Sequence, residues 1–126
     1  MAFRGVDYFA VDSLFTEEEL MVRQTARRFA DERILPVIRD CYRDARFPKE
    51  LIPEMADLGF FGANLEGYGC AGMSNVEYGL LMQEVERGDS GIRSFVSVQG
   101  ALVMYPIHTY GSDAQKDRWL PALQSG

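Results

Sequence analysis

Three capping boxes punctuate this chain, and each stands at the head of a helical pattern. Thr16-Glu17-Glu18-Glu19, Ser74-Asn75-Val76-Glu77 and Ser112-Asp113-Ala114-Gln115 each place a hydroxyl at the N-cap and a carboxylate or amide three residues later. In such a box, each side chain bonds a backbone N–H that the first helical turn leaves unpaired. Phe15 with Leu20, and Met73 with Tyr78, occupy the flanking staple positions. Three such starts in 126 residues predict an all-α fold of about five helices, packed as an orthogonal or up-and-down bundle.

The apolar spacing fills in the helices. Val22, Ala26, Phe29, Ala30, Ile34, Val37 and Cys41 form one stripe after the first box, with Arg23, Arg27, Arg28, Asp31 and Arg39 largely off it. Pro36 is expected to kink or split this helix. A second, shorter helix is expected from Pro48 to Gly59, with Leu51, Ile52, Met55 and Leu58 inward. Residues 60–72 read as a glycine-rich connection. A third helix runs from the second box to about Arg87 and stops at Gly88. A fourth runs from about Ser90 to Tyr110, with a kink expected at Pro106 and a stop at Gly111. The third box opens a last helix, which Pro121 is expected to bend or shorten.

Composition excludes several functions. A net charge of −6 argues against nucleic acid and anionic membranes as partners. No apolar run approaches a membrane span. Met1 to Thr16 has neither the apolar block of a signal peptide nor the basic character of a transit peptide. Two cysteines, Cys41 and Cys70, read as free thiols of a reducing, cytoplasmic compartment. One histidine without clustered ligands argues against zinc, and no metal ligands are assigned.

The chemistry concentrates between Asp89 and Gln99. On a helix, Arg93 and Ser97 lie one turn apart on one face, with Ser94 next to Arg93. A fixed cation beside two hydroxyls near a helix start suits a carboxylate. Gly100 and Ala101 are expected to continue that face and leave room for a slender ligand. The plainer reading pairs Arg93 with Asp89 four residues before it, or with Glu86, as a surface ion pair. His108 falls on the same face as Arg93, Ser97 and Met104 and is expected to be structural, near a helix C-terminus. Glu84 and Glu86 point about 200° apart on a helix and do not make a carboxylate pair. Gly67-Tyr68-Gly69-Cys70-Ala71-Gly72 matches the pattern G-x-G-x-x-G, but the capping box at Ser74 starts the helix after the last glycine. No strand–helix units surround it, so it reads as a structural loop. Cys70 has no basic neighbour and no expected reactivity.

Five landmarks extend this reading: Thr16-Glu17-Glu18; Glu32-Arg33-Ile34-Leu35-Pro36; Tyr68-Gly69-Cys70-Ala71-Gly72; Glu84-Val85-Glu86-Arg87; and Tyr110-Gly111-Ser112-Asp113-Ala114-Gln115-Lys116 with Trp119-Leu120-Pro121. By their order and spacing, residues 14–126 resemble the N-terminal helical domain of the acyl-CoA dehydrogenases, preceded by an arm over residues 1–13. Within that family, Asp89-Ser90-Gly91-Ile92-Arg93-Ser94, Ser97-Val98-Gln99 and Leu102-Val103-Met104-Tyr105-Pro106-Ile107 look like the glutaryl-CoA dehydrogenases. Two departures stand out. Leu65-Glu66-Gly67-Tyr68-Gly69-Cys70-Ala71-Gly72 replaces the family's usual Pro-Glu-Glu-Tyr-Gly-Gly-Ala-Gly, and Gln99-Gly100 replaces a Gln-Ser pair, altering a pocket wall by one hydroxyl.

The resemblance implies a flavin-dependent enzyme that uses FAD to oxidise glutaryl-CoA at its α and β carbons, commonly with decarboxylation to crotonyl-CoA. It implies that Arg93, Ser94 and Ser97 hold the distal carboxylate, with Glu86 beside Arg93 and assisting proton movement. The catalytic base and the flavin site are expected in a β-domain and a second helical domain that this sequence lacks, so no catalytic or cofactor-binding residue is assigned here. The sequence alone is therefore expected to bind flavin weakly and to be inactive. Electron-transfer flavoprotein is the implied electron acceptor, and a homotetramer the implied assembly. Two alternatives stand beside this reading: a dehydrogenase for another acyl-CoA, and a free-standing helical interaction module.

Overall fold

The computed structural model describes residues 8–126. Among the described residues there is no strand, and the helical segments join into five rods. The first rod is α1 (Glu17–Phe29) continued by α2 (Leu35–Arg43). The short α3 (Ile52–Asp57) follows, entered through a 3-10 turn over Lys49–Leu51. Then come α4 (Asn75–Gly88), α5 (Ser90–Ser97) continued by α6 (Tyr105–Tyr110), and α7 (Asp113–Gln124). All three capping boxes form as expected, with the hydroxyls of Thr16, Ser74 and Ser112 accepting from the N–H of Glu19, Glu77 and Gln115.

Neither Pro36 nor Pro106 splits its rod. Each follows a π-type turn, Ala30–Ile34 before Pro36 and Val98–Met104 before Pro106. Proline lacks an N–H and its ring crowds the carbonyl four residues back. A wider turn at that point accommodates both faults without ending the helix. Pro121 does not shorten α7, which runs on to Gln124.

The core lies between the long rods. Ala26, Phe29, Ala30 and Ile34 of the first rod meet Leu81 and Val85 of α4 and Ile92, Val96 and Met104 of the next rod. Residues 60–72 are more than a connection. Phe60, Phe61, Ala63 and Leu65 are buried there, and Phe29 meets Phe60 edge-on at 5.4 Å between ring centroids. Helical periodicity could not reveal these residues, because the segment is not a helix. Of residues 1–13, the expected arm, 1–7 lie outside the described residues. The rest includes a 3-10 turn over Val11–Leu14, and Asp12 accepts from both terminal nitrogens of Arg23 at 2.7 and 2.6 Å.

No helix among the described residues is long and apolar enough to cross a membrane.

Candidate functional site

A single extended residue builds the site. Asp89 (φ −167°, ψ 131°) ends α4, and its carboxylate caps α5 by accepting the Ile92 N–H at 2.8 Å. The chain therefore passes from α4 to α5 through a single non-helical residue. The last turn of α4, carrying Glu86, comes to lie beside the first turn of α5, carrying Ser90 and Arg93. Arg93 Nε donates to Glu86 Oε2 at 2.6 Å, and the Ser90 hydroxyl donates to Glu86 Oε1 at 2.5 Å. Arg93 Nη1 reaches Ser97 Oγ at 3.4 Å, and Ser97 in turn donates to the Ser94 carbonyl at 3.1 Å. Arg93 Nη2 makes no hydrogen bond among the described residues. The Arg93–Asp89 pair expected from i,i+4 spacing does not form, because the Asp89 carboxylate is engaged as a cap.

Electrostatics follow this geometry. The hydrogen bonds from Arg93 and then Ser90 hold the Glu86 carboxyl below its ordinary pKa, so it stays ionised at neutral pH. Half-buried Tyr78, two turns before Glu86 on α4, completes the surroundings. Burial pushes its phenol up, and the Arg93 charge pulls it back. Neither Tyr78 nor Ser90 was singled out from the sequence as a site residue. Their spacing of i, i+8 with Glu86 for Tyr78, and i+4 for Ser90, was the available signal.

Of the residues singled out from the sequence, Glu86, Arg93 and Ser97 come together. The Ser94 side chain does not join them. It lines an adjoining open groove of about 490 Å³ with Phe47, Gly91, Phe95, Val98 and Gln99, and its hydroxyl makes no hydrogen bond among the described residues. Gly100 does not widen the site. It is buried, and a Cβ placed on it would lie 3.3 Å from the Gly62 backbone nitrogen. The π-type turn adds a residue per turn and rotates Gly100 and Met104 into the core, off the Arg93 face. The Gln99-Gly100 departure therefore falls where Gly100 meets the Gly62 backbone, while Gln99 donates to the Leu123 carbonyl of α7 at 2.8 Å. His108 is structural: its Nε2 lies 3.0 Å from the Glu66 carbonyl and its ring meets Tyr68 edge-on, clasping the glycine loop.

Glu84 and Glu86 serve separate clusters. Glu84 is 2% exposed and accepts from Arg27 Nη2 at 2.6 Å and Nε at 3.1 Å, and from Arg87 Nε at 2.8 Å. Arg87 also donates to Asp31 at 2.7 Å. Burial raises the Glu84 pKa, but the two guanidiniums outweigh it and leave it lowered. This cluster braces α1 against α4.

The sequence matches the family model described as acyl-CoA dehydrogenase, N-terminal domain, over residues 16–126. The chain belongs to the acyl-CoA dehydrogenase family. Two crystal structures of glutaryl-CoA dehydrogenase from Mycobacterium smegmatis resemble it. One is 52% identical with a TM-score of 0.88, covering 91% of this chain and 30% of that one. The other, in complex with FADH2, is 47% identical with a TM-score of 0.90, covering 93% and 30%. A 3-(aryl)acrylate reductase of Clostridium sporogenes is 34% identical, over 89% of this chain and 30% of its own length. The (2S)-methylsuccinyl-CoA dehydrogenase of Cereibacter sphaeroides is 37% identical, over 87% and 20%. The chain thus spans less than a third of each of these relatives.

Within this acyl-CoA dehydrogenase domain the glycine loop forms a turn ahead of α4. Gly67, Gly69 and Gly72 take φ of +78°, +84° and +66°, and Tyr68 takes +56°, which identifies a tight turn. At the start of the following helix, the Ser74 and Glu77 N–H groups are already bonded within the capping box.

Proposed function

We propose that residues 14–126 are the N-terminal helical domain of an FAD-dependent dehydrogenase that oxidises glutaryl-CoA. The observation that carries this reading is Arg93, braced on one edge by Glu86 and leaving Nη2 without a hydrogen bond among the described residues. A guanidinium fixed in this way can take a distal carboxylate through its terminal nitrogens. Ser97 steadies the Nη1 side of the guanidinium, while Ser94 faces the adjoining groove. The likeness to the two M. smegmatis glutaryl-CoA dehydrogenases supports this assignment.

When bound in the complete enzyme, FAD would supply the two-electron acceptor for oxidation at the α and β carbons, and crotonyl-CoA and carbon dioxide would be the products. On the family resemblance, FAD and the catalytic base are assigned to parts of the complete enzyme outside residues 14–126. Glu86 holds the Nε edge of Arg93, and in this reading it also assists proton movement after decarboxylation. Electron-transfer flavoprotein as acceptor and a homotetrameric assembly complete the proposal.

A second reading has one observation in its favour. The C. sphaeroides relative is a dehydrogenase of methylsuccinyl-CoA, itself a thioester with a distal carboxylate, so the same arginine would serve a shorter diacid. Arg93→Ala in the complete enzyme is expected to lower kcat/KM for glutaryl-CoA about 100-fold or more, the loss of a charge-assisted contact. Undiminished turnover of glutaryl-CoA by that variant would refute the carboxylate role. A preference for methylsuccinyl-CoA in the parent enzyme would establish the second reading.

A further inference from the structure

We propose that Ser90 is a positioning residue that sets the specificity of the Arg93 site. Its hydroxyl locks Glu86, so that Glu86 in turn holds the Nε edge of Arg93. The inference rests on the proposed carboxylate role of Arg93.

Glu86 stands on the exposed side of the α4–α5 junction, and its side chain is 45% exposed. A carboxylate this wet would ordinarily swing among rotamers, and a surface ion pair with it would hold little. Here both oxygens are occupied from α5. Oε2 accepts from Arg93 Nε at 2.6 Å, and Oε1 accepts from Ser90 Oγ at 2.5 Å. Ser90 is the first residue of α5, and its backbone is set by the Asp89 cap. Its hydroxyl therefore approaches Glu86 from a fixed point. Two bonds from one helix to one carboxylate define that carboxylate's orientation, which a single ion pair cannot do.

The orientation matters because it decides which guanidinium edge is engaged. With Nε on Glu86 and Nη1 near Ser97, the Nη1–Nη2 end remains for a ligand carboxylate. Without Ser90, Glu86 can rotate and bridge Nε and Nη2 in the bidentate manner that arginine and carboxylates favour. The ligand would then compete with Glu86 for Nη2. The charged group facing Glu86 is Arg93, with Tyr78 beyond it within electrostatic reach of Arg93.

The test compares Ser90→Ala, Ser90→Thr and Arg93→Ala in the complete flavin-loaded enzyme, with glutaryl-CoA and butyryl-CoA as substrates. Ser90→Ala is expected to lower the preference for glutaryl-CoA over butyryl-CoA about 3–10-fold, mainly through KM, the size of one lost hydrogen bond. Ser90→Thr, which keeps the hydroxyl, is expected to restore it. Carbon-13 NMR of the Glu86 carboxyl gives a readout independent of turnover, and its titration midpoint is expected to rise in Ser90→Ala. An unchanged preference or an unchanged midpoint in Ser90→Ala, with Arg93→Ala losing glutaryl-CoA selectively, overturns the Ser90 proposal and leaves the carboxylate role standing. An Arg93→Ala enzyme that retains its glutaryl-CoA preference overturns both.

Discussion

Replacing Glu84 with glutamine keeps its shape and removes its charge, at the junction that braces α1 to α4. The carboxylate is 2% exposed and takes three hydrogen bonds, two from Arg27 and one from Arg87. Removing one member of a buried pair costs about 3–5 kcal/mol when the survivor stays buried and unpaired. The survivors here are guanidiniums whose side chains are 53% and 40% exposed, and they regain water. The amide also keeps one acceptor for Arg27, while its NH2 faces the Arg87 donor. The expected loss for Glu84→Gln is therefore about 2 kcal/mol, below the buried-pair range.

The reverse change is predicted to be worse. Arg27→Ala with Arg87→Ala leaves the carboxylate buried without a partner, and the full cost of about 3–5 kcal/mol applies. Equilibrium urea denaturation measures both, with an unchanged slope expected and a midpoint for Glu84→Gln lower by about 1 M. The pH dependence has a definite sign. The folded-state pKa of Glu84 is lowered from the ordinary 4.5. Its contribution is complete above that ordinary value and is lost as pH falls through the lower folded value. The glutamine variant is expected to lose this acid-side dependence. A Glu84→Gln protein within about 0.5 kcal/mol of the parent, or a double arginine variant less damaged than Glu84→Gln, would refute the reasoning from burial.

Three further outcomes are expected. Gly62→Ala should cost about 2–3 kcal/mol in the same denaturation assay. Gly62 has φ +60°, and a Cβ there would lie 2.7 Å from Met104 Cε and 3.2 Å from Leu65 Cδ1. Ser74→Ala should cost about 1 kcal/mol by removing the acceptor for the Glu77 N–H, and Ser74→Asp should recover most of it. Cys70 should react with iodoacetamide at neutral pH more slowly than a cysteine in an unfolded peptide, since burial pushes its thiol above the ordinary 9.0, and unfolding in urea should abolish the difference.

What could be read without coordinates was local. Each capping box closes within four residues, so Thr16, Ser74 and Ser112 announce their helices by themselves. The apolar stripe from Val22 to Cys41 is set by the helix period, and its buried members, Ala26, Phe29, Ala30, Ile34 and Cys41, follow from it. The proximity of Arg93 and Ser97 needed one helical turn and nothing more. The family resemblance, too, rests on short motifs in order along the chain.

The remaining features depend on contacts between distant segments. Arg27 and Glu84 are 57 residues apart, and no local pattern joins them. Phe60, Phe61, Ala63 and Leu65 are buried because helices close over an irregular segment that has no period to detect. The π-type turns ahead of Pro36 and Pro106 keep each rod continuous where proline chemistry alone suggests a break. At the site, the sequence offered Arg93 two acidic partners, Asp89 and Glu86. The fold selected Glu86, because the junction between α4 and α5 uses the Asp89 carboxylate to cap the new helix. The sequence thus determined the helices and the residue types at the site, through interactions within one turn. Which charges meet, which glycine is packed and which arginine edge stays open were decided by tertiary structure, because those depend on how one helix is set against the next.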